Sequence, residues 1–275
     1  MKAPRYFAII AALLASVVLP GCNSQKASDG SSTGAITITG AGSSFVAPIM
    51  ERWIADYRNT HPNVQITYQS IGSGGGIQQL KKQLIDFGAS DAALSDDQLK
   101  DMPVPVVQIA ESAGPVCITY NLPDLKQPLK LSSSALAGIF MGTIKKWNDP
   151  SIARSNPGVK LPKDDIIVAH RSDGSGTTNI FTNYLATVSP DWAQKVGKGL
   201  SLNWPVGVGG KGSEGVTGVV KQSPGGIGYV ELSYATQNHL PVAQMQNKAG
   251  KWVTPSAQAA TAAIASFKTQ LDSDL

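Results

Sequence analysis

Three short segments combine residue types suited to holding an anion: Gly40–Phe45 (GAGSSF), Gly72–Gly76 (GSGGG) and Asp173–Thr178 (DGSGTT). Each follows a β-type run and leads into helical spacing. A helix N-terminus exposes backbone N–H groups that lack internal partners, and the helix dipole adds positive potential there. Glycine lets the backbone come close to a ligand, and Ser and Thr hydroxyls supply further donors. Taken singly, each turn is an ordinary helix cap. Three in one chain point to a shared oxyanion cradle. Arg171 stands just before the third turn and offers a planar fork of donors, although alone it reads as a surface residue paired with Asp173. Asp91, closing Asp86–Asp91 (DFGASD), is the odd member, because a carboxylate repels an anion unless the anion carries a proton. Such a residue would favour a protonated oxyanion and reject sulfate; in isolation it is a turn cap.

Other chemistries lack their parts. Ser175 is not in a G-x-S-x-G elbow, and His61, His170 and His239 are dispersed, with no metal-ligand or H-E-x-x-H spacing. Gly209-Gly210-Lys211-Gly212-Ser213 is only superficially like a P-loop, since Gly follows the Lys. Neither a metal nor an organic cofactor is implied. Cys117 lies in an apolar run and reads as a small core hydrophobe.

These residues must be positioned by a larger frame. The chain has 275 residues, 42% hydrophobic and 15% charged, enough apolar material for a sizeable core. Its 23 basic residues face 19 acidic ones, and Lys2 and Arg5 lie in a segment expected to be removed, leaving 21 against 19. With no basic run, nucleic-acid binding is excluded. Tyr6–Leu19 is an apolar run of 14 residues behind a positive start, short of the about 20 that a spanning helix needs. It reads as a secretory signal, and Leu19-Pro20-Gly21-Cys22 resembles a lipobox, with the Cys22 thiol acylated. Asn23–Gly34 is a polar tether.

Beyond it, strands alternate with helices, which implies an α/β fold. Strand-like runs are Ala35–Thr39, Val64–Ser70, Ile166–His170 and the stretch after Gly225. Val104–Tyr120 holds two more, divided at Glu111. Helical spacing covers Pro48–Thr60, with Ile49, Trp53 and Tyr57 on one face, then Ile77–Leu84, Asn179–Leu185 and Pro255–Leu271. Asp86–Asp91 reads as a loop.

The segments GAGSSF, YQSIGSGGGI, DFGASDAALSDD, GTIKKWND, HRSDGSGTTNIFTNYL, NWPVGVGGKGSEGV and GGIGYVEL occur in order from about Ile36 onward. Together they resemble the periplasmic phosphate-binding proteins of bacterial phosphate ABC transporters. The resemblance implies a two-lobed periplasmic-binding-protein fold of type II with phosphate in the interlobe cleft. It implies a signal peptide at 1–21, lipidated Cys22 and tether at 22–34, a first lobe at 35–120, a second at 121–245, and a C-terminal segment at 246–275 that starts back toward the first. By motif, Ser44 would bind by hydroxyl and backbone, Phe45 by its N–H and Ser73 by its hydroxyl. Asp91 would accept the phosphate proton, Arg171 make the charged contact with Asp173 positioning it, and Ser175, Gly176 and Thr177 supply helix-terminus donors. Gly74 stands where many relatives have a second Ser.

The implied protein is an exported, lipid-anchored receptor, not an enzyme, that hands phosphate to a membrane permease and its ATPase. The family chain continues past this point, so the first lobe is expected to lack its return segment, leaving a sheet edge and an apolar face uncovered. Arsenate, which also carries a proton, and a non-transporting phosphate sensor stay open; a phosphoester hydrolase using Ser175 lacks a base.

Overall fold

A computed structural model of the protein describes residues 35–266. The expected signal segment, Cys22, the tether and the end of the C-terminal helix lie outside the described residues.

The first lobe is built from βα units: β1 (Ile36–Gly42), α1 (Ala47–Thr60), β2 (Val64–Ser70), α2 (Ser73–Lys81), β3 (Phe87–Ala89) and α3 (Asp96–Lys100). Its parallel sheet has the order β2-β1-β3. The register sets Gly42 opposite both Ser70 and Ala89, so all three strands end at one level. Two expectations shift here. The segment read as a loop contains β3, too short for its alternation to register. Helix α2 begins at Ser73 and not at Ile77, because the glycines form its first turn.

The α1 face bearing Ile49, Trp53 and Tyr57 is 39–42% exposed, while Ala47 and Met50 point inward. Periodicity groups residues on a face, but only the neighbours decide which face is covered. Likewise the first strand-like run, Val104–Ala110, is not a strand, and Val107 and Ile109 stand 85% and 79% exposed. Among the described residues no strand pairs with it, and a strand needs a partner.

The second lobe comprises β4 (Val116–Tyr120), β5 (Lys130–Leu131), α4 (Ser133–Phe140), α5 (Pro150–Ala153), β6 (Ile167–Arg171), α6 (Gly176–Val188) and α7 (Pro190–Lys195). After these come β7 (Val208–Gly210), α8 (Gly212–Gln222), β8 (Gly226–Glu231), α9 (Leu232–Gln237), β9 (Gln244–Gln246), β10 (Trp252–Val253) and α10 (Ala257–Ser266). The main sheet runs β4-β8-β6-β7, and a small one runs β10-β9-β5. Strand β4 is antiparallel to β8, with Cys117 opposite Val230. Strand β4 is hydrogen-bonded into this second sheet, although it falls within residues 35–120.

On one face of that sheet Phe140, Trp147, Leu185, Trp192 and Tyr229 are essentially fully buried, with Phe140 and Phe181 edge to face at 4.7 Å. On the other, Val216 and Val220 of α8 pack on Cys117 and Val230. Burial pushes the Cys117 thiol up to about 12, so it stays protonated and behaves as an apolar group.

Candidate functional site

The first lobe's strands end at Gly42, Ser70 and Ala89, and in the second lobe Arg171 lies opposite Gly210. The turns that leave these ends meet one another between the lobes. In open parallel sheets, ligands bind outside the carboxyl ends of strands, because the N-termini of the following helices gather there.

Asp91 is the junction. The Ser43 hydroxyl donates to its Oδ1, and the Thr177 hydroxyl, from α6 of the other lobe, donates to Oδ2 at 3.1 Å. The Asp91 N–H donates to Ser73 Oγ at 3.3 Å. A Cβ at Gly176 would lie 2.6 Å from both Asp91 Cβ and Ser73 Oγ, so only glycine lets α6 begin this close. Burial raises the Asp91 carboxyl above its ordinary value, against the hydrogen bonds from Ser43 and Thr177 and the charge of Arg171. A more basic carboxylate is a better acceptor for a proton carried by a ligand.

Arg171 is 4% exposed and forms a two-pronged pair with Asp173, Nε to Oδ1 at 2.8 Å and Nη2 to Oδ2 at 2.6 Å. Burial pushes the Asp173 carboxyl up, but Arg171 and the Gly212 N–H outweigh it and hold the carboxyl below its usual range. The Arg171 N–H donates to the Tyr229 hydroxyl, which also bonds to Thr178 Oγ1 at 2.6 Å, tying the end of β6 to α6. Nearby carboxylates are numerous. Burial first, then the charges of Glu111, Asp91 and Glu214, raise the Tyr68 hydroxyl, which stays a donor. A fully ionised anion therefore meets repulsion that a protonated one can relieve.

Ser44, Phe45, Ser73, Asp91, Arg171, Asp173, Ser175, Gly176 and Thr177 lie in the turns that meet here, whereas Cys22 is outside the described residues. Ser44, Ser73, Ser175 and Thr177 are each no more than 1% exposed. Two are engaged differently from expectation. The Phe45 N–H donates to Ser43 Oγ at 3.0 Å. Ser175 caps its own helix, its Oγ accepting from the Thr178 N–H at 3.0 Å, and its N–H donates to Leu200 O at 2.8 Å. Only the hydroxyl proton of Ser175 is left to reach a ligand. Sequence reasoning missed Ser43, Ser70, Ser213, Glu214 and Tyr234. A usable signal existed for Ser213: Val208–Ser213 is a fourth strand–glycine turn–helix unit like the three that were recognised. No group of three or more His, Cys, Asp or Glu among the described residues is placed to hold a metal ion.

Comparison with known proteins gives the family and the fold. A family model described as a PBP superfamily domain matches residues 27–274. The chain is 48% identical over 242 residues to the phosphate-binding protein PstS of Xylella fastidiosa, covering 88% of this chain and 66% of that one. It is 50% identical over 234 residues to the protein of the same name from Pasteurella multocida, covering 85% and 67%. The chain thus spans about two thirds of the length of these curated relatives. Among solved structures, a phosphate-binding protein from Stenotrophomonas maltophilia aligns with a TM-score of 0.56 at 22% identity, over 77% of this chain and 65% of that one, a likeness of fold.

Proposed function

This chain belongs to the PBP superfamily and, within it, to the phosphate-binding proteins named PstS, and from that premise we propose that it captures inorganic phosphate between its lobes. Ser44 and Ser73 would donate hydroxyl hydrogens, Gly176 and the first turn of α6 their N–H groups, and Arg171 its guanidinium, held in plane by Asp173, while the Thr177 hydroxyl holds Asp91. Asp91 would accept the P–O–H proton. The observation that carries this reading is the setting of Asp91: a half-buried carboxylate of raised basicity that receives hydroxyls from both lobes beside a buried Arg. A site of donors alone would hold any oxyanion. One acceptor among them rejects sulfate, which has no proton near neutral pH.

Binding of this kind needs no covalent step, so the protein acts as a receptor, not an enzyme. Closing the lobes on the ion removes water and strengthens each hydrogen bond. The receptor would deliver phosphate to the permease subunits and ATPase of an ABC importer, held on the outer side of a membrane by lipid on Cys22. No helix among the described residues is long and apolar enough to cross a membrane.

Titration calorimetry of the chain with phosphate and then sulfate, near neutral pH, tests the reading. Phosphate heat without sulfate heat supports it; no phosphate heat from folded protein overturns it. Asp91→Asn should narrow the preference for phosphate over sulfate, and an unchanged preference would remove Asp91 from the proton-acceptor role.

A further inference from the structure

Helices α2 and α8 each begin at the contact between the lobes and, like α1, lack side-chain caps of their own. The residue before α8 is Lys211 and the one before α2 is Gly72, and neither caps its helix through a side chain. By contrast α3, α4, α6 and α7 are each capped by the Ser that precedes them. Of these, α2 and α8 draw first-turn partners from across the cleft. The Ser213 N–H of α8 donates to Ser44 Oγ at 2.9 Å, and the two hydroxyls lie 3.0 Å apart. The Gly74 N–H of α2 donates to Gly174 O at 2.9 Å. First-turn N–H groups have no partner within their own helix, so separating the lobes would strip a cap from one helix of each.

Beside this contact, Glu214 Oε1 accepts from the Ser70 hydroxyl at 3.0 Å and from the Tyr234 hydroxyl at 3.0 Å. The Tyr234 hydroxyl also reaches Ser44 O, at 2.5 Å, in the first lobe. Burial first, then the charge of Glu214, raises the Tyr234 hydroxyl and keeps it a donor. Ser70 is the last residue of the first lobe's β2, whereas Glu214 and Tyr234 belong to helices of the second lobe.

We propose that Glu214 and Tyr234, with Ser213 at the N-terminus of α8, form a latch that holds the lobes closed and sets the rate at which the bound ion leaves. These residues need not touch the ion; they act as positioning residues. The release-rate part rests on the phosphate-binding reading, whereas latching itself does not.

The test uses Glu214→Ala, Glu214→Gln and Tyr234→Phe in the full chain, with circular dichroism to establish folding. Stopped-flow release of phosphate should quicken about three- to tenfold in Glu214→Ala and Tyr234→Phe, the scale of one lost hydrogen bond, with the association rate unchanged. Glu214→Gln keeps an oxygen that accepts from both hydroxyls and should restore slow release. Solution scattering without phosphate should give a larger radius of gyration for Glu214→Ala and Tyr234→Phe than for the parent or Glu214→Gln. Equal release rates and equal radii across the set would overturn the latch, as would Glu214→Gln behaving like Glu214→Ala. If the parent binds no phosphate, the function proposed above fails and the scattering arm still decides the latch.

Discussion

The two lobes contribute alike to the cleft yet are held together by different forces. The second lobe surrounds its sheet with large side chains: Phe140, Trp147, Leu185 and Trp192 are all completely buried. In the first lobe the buried apolar residues are small or few, with Ala41, Val46, Ala47, Met50 and Ala89 below 9% exposure, while Trp53, Tyr57, Val107 and Ile109 face outward. Its cleft residues are nevertheless as buried as those opposite, with Ser43, Ser44 and Ser73 at 1%. Apolar packing therefore cannot be what fixes them. The register of three parallel strands and the hydrogen bonds to the second lobe do so, which makes the first half of the site dependent on the second.

The largest effect expected from this contrast is in the core. Trp147→Ala removes a fully buried ring whose Nε1 donates to Gly225 O at 3.0 Å, and should lower unfolding free energy by about 3–5 kcal/mol in urea titrations. A loss below about 1 kcal/mol would erase the proposed difference between the lobes. Next is Asp173→Asn, which leaves the buried Arg171 charge without its ionised partner and should destabilise by about 3 kcal/mol near neutral pH. Asp173 has its folded value depressed, so its stabilisation is full above the unfolded value of about 3.9 and is lost as pH falls through the folded value. The gap between parent and variant should close on acidification, and a gap independent of pH would separate Asp173 from the charge pair.

Asp91 in the first lobe has the opposite sign. Its folded value is raised, so the parent loses stability relative to Asp91→Asn as pH climbs from about 3.9 through that folded value, and the difference is constant above it. Matched melts from strongly acidic to neutral pH would show Asp173→Asn approaching the parent below about 3.9 and Asp91→Asn gaining on it above about 3.9. The smallest effect belongs to Trp53→Ser on the exposed face of α1, expected within about 0.5 kcal/mol. A loss comparable to that of Trp147→Ala would mean that this face is covered in solution.

What was legible in the sequence was local chemistry. Gly-Ser turns, Arg171 and Asp91 announce themselves by residue type, and alternation and helical spacing located the strands β1, β2, β4, β6 and β8 and the helices α1, α2, α6 and α10, because side-chain patterning along one element is a local property. Sequence also placed Cys117 in a core, where the structure holds it. The limits were equally physical. Whether the Val104–Ala110 run becomes a strand depends on a neighbour supplying backbone partners, and whether the Trp53 face is buried depends on what lies over it. Ser44 capping α8 across 169 positions and Glu214 receiving Ser70 are settled only when two sheets meet. Hydrogen bonds are short-ranged and directional, so residue types nominate the partners, and the tertiary fold alone selects which of them come within reach.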